Sequence, residues 1–157
     1  MRPAQPLFGE IQAFSAGILA LVAAVDVVVL GALVSAHASG KMELWVVLLA
    51  AGLMALPLGL LATMRLRTVV VPGALSVHLP VLLNRTIALR DIASAEVCAY
   101  RPIRDYGGWG VRWGAGGIAY NARGNRGVQL VLKTGKRVLI GSQRPEELIA
   151  AIEAGRT

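Results

Sequence analysis

The chain has a single cysteine, Cys98, and two histidines, His37 and His78. One thiol cannot build a disulfide framework or a cysteine cluster for zinc. The histidines are far apart and lack carboxylates at ligand spacing, so neither a metal nor another cofactor is expected. Charged residues are only 16% of the chain, well below the roughly one quarter of ordinary soluble domains. No G-x-G-x-x-G links a strand to a helix, and there is no G-x-x-x-x-G-K-[ST] or G-x-S-x-G. These absences remove the common nucleotide-binding and serine-hydrolase readings. Asp91, Asp105, Ser142 and His78 show no spacing that suggests a catalytic set, and a non-enzymatic protein is expected.

What is present is 55% hydrophobic residues and a net charge of +7, unevenly spread. Residues 1–64 hold two basic side chains, Arg2 and Lys41, against Glu10, Asp26 and Glu43. The remaining fourteen Lys and Arg face six Asp and Glu in residues 65–157. Residues 14–36 contain one charge, Asp26, and residues 44–64 contain none. At about 1.5 Å per residue each run spans roughly 30 Å, the hydrocarbon core of a bilayer. Both are read as transmembrane helices. The short polar linker at 37–43, broken by Gly40, makes them antiparallel neighbours. A cleaved leader ending at Ala36-His37-Ala38 is the rival reading, but the apolar run is long for one and its tail is weakly basic. Arg65 and Arg67 follow the second run, so the positive-inside rule places both termini in the cytoplasm and Trp45 at the outer interface. Ala16, Ala20 and Ala24, with Ala51, Ala55 and Gly59, offer small-residue ridges for close helix packing.

Asp26 falls near the bilayer centre, where an ionised carboxylate costs at least about 2.5–3.5 kcal/mol. A hydrogen-bond acceptor is needed. Pro57 cannot donate to the Leu53 carbonyl, which leaves that carbonyl free at a similar depth. An Asp26–Leu53 bond within the hairpin, or a bond from Asp26 to another chain or a water, is expected.

After residue 68 the period changes. Short apolar runs at 69–71, 75–79, 86–89 and 95–100 read as strands, as do 118–120, 128–132 and 137–140. Lys133-Thr134-Gly135-Lys136 is a hairpin turn. The end reads as an amphipathic helix, with Ser142 as N-cap, Pro145 in the first turn and Gly155 as the stop. Cys98 is expected as a small buried strand residue.

The wording Ile87-Ala88-Leu89-Arg90-Asp91-Ile92, the hairpin from Val128 to Ser142 and the run Arg144-Pro145-Glu146-Glu147-Leu148 resemble the bacterial pleckstrin-homology-like domains. The resemblance covers roughly residues 67–154. It implies a small β-barrel or sandwich capped by a C-terminal helix, here carried on a two-helix membrane anchor. The layout expected is an N-terminal tail at 1–13, the transmembrane hairpin at 14–64 and the β domain at 65–157. Lipid-binding pleckstrin-homology domains carry a basic cluster on their first hairpin. Residues 80–86 offer only Arg85, so phosphoinositide specificity is not implied.

The least ordinary segment is 100–117, which sets Arg101, Arg104, Tyr106, Trp109, Arg112 and Trp113 among six glycines. Arg123 and Arg126 follow across the next strand. Flat aromatic area with bidentate guanidinium donors suits a protein partner or an anion; the competing reading is a turn that caps the barrel. The basic balance points to the membrane surface rather than nucleic acid, because the β domain begins within a few residues of the span. The function expected is a membrane-anchored binding or assembly module at a bacterial inner membrane. It would meet membrane lipids and a membrane protein partner or its own copies. The alternative is a sensor of anionic lipid or a small phosphorylated ligand.

Overall fold

A computed structural model describes residues 5–114 and 116–156. Arg2, Ala115 and Thr157 lie outside the described residues. The chain divides into two units, Phe14–Met64 and a second made of residues up to Ala13 together with those from Arg65 onward.

The first unit is a pair of helices, α1 (Ala16–Ala38) and α2 (Leu44–Thr63). Ser15 caps α1, its hydroxyl accepting from Ile18 N at 3.3 Å. Gly40, with φ of 72°, turns the chain between the helices. Mean hydropathy reaches 2.7 in α1 and 2.4 in α2, and both are long and apolar enough to cross a membrane. The seam differs from the expected small-residue ridges. Ala16, Ala20 and Ala24 are exposed, as are Ala55 and Gly59. The half-buried positions are Leu19, Val22, Ala23, Asp26, Leu30 and Leu33 of α1 against Val47, Ala51, Met54 and Leu58 of α2. Asp26 thus lies along the groove between the helices, beside Ala51, Met54 and Ala55. The expected Asp26–Leu53 bond is not formed, and Leu53 is 63% exposed. Residue counting matched the two groups in depth but not in rotation about the helix axes.

The second unit is built on two sheets. Strand β1 (Phe8–Ala13) pairs antiparallel with β2 (Arg65–Val71), followed by β3 (Ala74–Leu79) and β4 (Leu83–Ala88). The expected tail thus contains a strand. Phe8–Ala13 is an edge strand, in register from Phe8↔Val70 to Ala13↔Arg65. The helical pair is inserted between two paired strands of one sheet. A 3-10 turn leads to β5 (Ile92–Ala99), then α3 (Pro102–Tyr106), β6 (Gly110–Gly114), β7 (Gly117–Asn121), β8 (Arg126–Leu132) and β9 (Arg137–Gly141). Their sheet runs β5-β8-β9-β7-β6, with β7 and β9 parallel.

Period-two alternation gives each sheet an inner face. Leu66, Val70, Leu75, Val77 and Leu79 are buried on one, and Val128, Leu130, Val138 and Ile140 on the other. Helix α4 (Pro145–Ala154) packs on strands of both, sinking Leu148 and Ile152. Its N-cap is Arg144, not Ser142. Ser142 instead donates to the buried Glu10 carboxylate at 2.6 Å and accepts from Arg144 N at 3.0 Å. Glu10 also accepts from Gln143 N at 2.8 Å, which fastens β1 to the start of α4. Gly155 ends α4 with right-handed backbone. A side chain there would meet Leu89 at 2.6 Å, so contact with the core, not helix-end geometry, demands glycine.

Candidate functional site

Residues 101–117, whose glycines and lack of period suit a long loop or a distorted hairpin, form a short helix and the first strand of an edge hairpin. Pro102 sits in the first turn of α3, and the Arg101 N–H bonds Asp105 Oδ2 at 2.8 Å. Gly107, with φ of 71°, closes α3 in the left-handed region where a Cβ is costly. Strands β6 and β7 pair from Gly110↔Asn121 to Gly114↔Gly117.

Helix α3 lies across the outer face of the second sheet. Tyr106 is buried there, its ring edge-on to Tyr100 with centroids 6.1 Å apart. Together with Ala119 and Leu139 they form a small second core, against which Cys98 packs. The glycines of β6 and its turn make room for it. A Cβ at Gly116 would lie 2.3 Å from the Tyr106 hydroxyl, and one at Gly114 would lie 2.2 Å from the Asp105 carbonyl. Part of the glycine content is thus a seat for α3.

The eight residues singled out from sequence separate into three groups. Tyr106 is buried against the second sheet, with only an edge left open beside α3. Trp109, Arg112 and Arg126 have partners within the chain. Trp109 Nε1 donates to Gly124 O at 3.4 Å, and Arg112 Nε to Trp109 O at 3.0 Å. Arg126 pairs with Glu146 at the start of α4. Glu146 is held below its usual carboxylate value, first by the free N–H at the helix start and then by Arg126. The third group is open. Arg101, Arg104 and Arg123 are exposed and, among the described residues, their side chains make no hydrogen bond or ion pair. Trp113 is 73% exposed on β6, the last strand of its sheet, and Ile103 on α3 is 69% exposed.

Beside α3 is a cleft of about 480 Å³ that sequence reasoning missed. Glu96, Cys98, Tyr100, Arg104, Tyr106 and Gln129 line it. Cys98 is accordingly half-buried on a cleft wall, not sealed in the core. The signal available in sequence was the alternation Glu96, Cys98, Tyr100, three polar-capable side chains on one face of β5. Burial pushes the Tyr100 hydroxyl up to about 12 and raises Tyr106. Burial likewise raises the Cys98 thiol, so it stays protonated and is a poor nucleophile at neutral pH. The Tyr100 hydroxyl is buried, and the Asn121 side chain beside it offsets part of its rise.

No protein-family model matches the chain, and no curated protein matches it. The site is therefore read from its own geometry.

Proposed function

We propose that the chain is a non-enzymatic, membrane-anchored binding module. In this reading α1 and α2 hold it in a bacterial inner membrane, with the sheet-bearing unit in the cytoplasm as a pleckstrin-homology-like domain. Support for that kinship is the order of parts: a four-stranded sheet, a second sheet, and a C-terminal helix packed on both. The hairpin β6–β7 with α3 is an addition to that plan.

The observation that carries the binding role is Trp113. A tryptophan 73% exposed on an edge strand gains nothing for folding. Tryptophan is among the residue types enriched at protein-interface hot spots, and this one points to the Ile118 side of the sheet, opposite the face that carries α3. The partner is a membrane protein or a second copy of the chain. A photo-reactive amino acid replacing Trp113 in the full chain, in intact membranes, is expected to give a discrete protein adduct on illumination. The same amino acid at Thr134, exposed in the β8–β9 turn, is expected to give none. Equal labelling from the two positions contradicts the reading.

A second reading, a small phosphorylated or otherwise anionic ligand in the cleft, draws on the exposed Arg104 at its wall. Trp113 adducts that are absent while anions protect Cys98 from alkylation would favour it.

A further inference from the structure

The turn between β3 and β4 is built on an unfavourable residue. Leu82 N donates to Leu79 O at 3.2 Å, with Pro80 and Val81 between them. Val81 has φ of 67°, and is the one non-glycine residue with positive φ among those described. A turn with proline second and positive φ third favours glycine or asparagine at the third place. A β-branched residue there is strained, because Cβ crowds the following carbonyl. Packing does not compensate. Val81 is 91% exposed and Leu82 60%. Two apolar side chains are thus held outward at a hairpin tip, one of them at a conformational cost.

Register shows which end of the sheet carries this tip. Ala13 pairs with Arg65, Arg67 with His78, and Leu79 with Leu83. The turn therefore lies at the end of the sheet where Ala13 leaves and Arg65 returns. Helix α1 starts at Ala16 and α2 ends at Thr63. This end of the sheet is therefore the one from which the chain runs into the two apolar helices, through links of no more than three residues, which reach at most about 11 Å. Arg67 and His78 are exposed and face each other across β2 and β3. Arg67 stands one pleat repeat, about 7 Å, back from the start of β2, and His78 one residue back from the end of β3.

We propose that residues 80–82 are a third membrane contact. Val81 and Leu82 enter the boundary between headgroups and acyl chains, while Arg67 meets lipid phosphates one layer above. Apolar side chains at the tip with a cation set behind is the order in which an interfacial segment meets a bilayer. The occupant is the lipid surface, and the strain at Val81 is retained because a glycine or asparagine would leave the tip in water. This proposal rests on α1 and α2 spanning the membrane.

The test uses the full chain in phosphatidylethanolamine–phosphatidylglycerol vesicles with Cys98→Ser. A nitroxide is placed in turn at Leu82→Cys, at Leu53→Cys on the exposed side of α2, and at Thr134→Cys. Collision with oxygen is compared with collision with an aqueous nickel chelate. The residue 82 label is expected to favour oxygen, with a ratio shifted from the Thr134 value toward the Leu53 value. A residue 82 ratio equal to that at Thr134 puts the turn in water and overturns the proposal. Shielding from both reagents means protein covers the turn, and overturns it too. If the Leu53 label itself behaves like Thr134, the membrane-spanning reading fails and takes this one with it. Leu82→Trp with brominated lipids reads the same depth without altering Cys98. The added emission is expected to be quenched, and its persistence counts against the proposal.

Discussion

Removing residues 1–13 is expected to unfold the sheet-bearing unit while leaving both apolar helices in place. Strand β1 buries Phe8, and truncating such an aromatic alone costs about 3–5 kcal/mol. Its polar side chains are equally committed. Glu10 accepts from Ser142 Oγ and Gln143 N, and Gln12 Nε2 donates to Gly141 O at 2.8 Å. Arg144 returns the attachment, bonding Gly9 O at 2.7 Å with its guanidinium 5.0 Å from the Phe8 ring. Hydrogen bonds to a buried charge contribute about 1.5–3 kcal/mol each. Their joint loss is comparable with the 5–15 kcal/mol that holds a typical domain. Limited proteolysis of the truncated chain in detergent is the readout. New cleavage sites throughout residues 65–156 are expected. A protease-resistant fragment of that span would show that β1 is dispensable.

The second large effect is a contrast between two neighbouring aromatics. Tyr106→Ala empties the contact between α3 and the second sheet, and is expected to cost about 3 kcal/mol by the scale for buried large-to-small changes. Trp113→Ala removes an exposed side chain and is expected to change stability by less than about 0.5 kcal/mol. Binding should order them the other way for a given amount of folded protein, with Trp113→Ala losing the partner adduct. Thermal unfolding in detergent gives the first comparison, and cross-linking from the half-buried Val111, on the same face of β6 as Trp113 and replaced by the photo-reactive amino acid, gives the second. Equal destabilisation by the two substitutions would make Trp113 part of the packing, and the binding surface would be lost.

The sequence made the two helices and most strands legible because apolar runs and alternation are what lipid and a one-sided sheet require. Strand β1 escaped for a physical reason. Its inward positions are Phe8, Glu10 and Gln12, while Ile11 points outward at 62% exposure. The polar residues are inside because they bond to the start of α4, so hydropathy reads the strand inside out. Its partner strand is also separated from it by the whole helical pair. The hairpin β6–β7 could be read from its glycines only as one of two choices, a long loop or a distorted hairpin, because the same glycines suit either and here make space for Tyr106. Arg101, Arg104 and Trp113 stand out in the sequence by residue type alone, and all three are exposed. Their separation from Arg126 and Tyr106 depends on Glu146 and on α3 packing, which are long-range contacts without a local signal.

The account stands most directly on where the basic unit resides. Reporter fusions at the C-terminal end and at Lys41, between the helices, measure this. Green fluorescent protein at the C-terminal end is expected to fluoresce, and alkaline phosphatase there to be inactive. The same pair at Lys41 is expected to behave in reverse, because basic residues such as Arg65 and Arg67 just after a span favour the cytoplasmic side. Active phosphatase at the C-terminal end would place the unit, and its Trp113 surface, on the other side of the membrane and contradict the account.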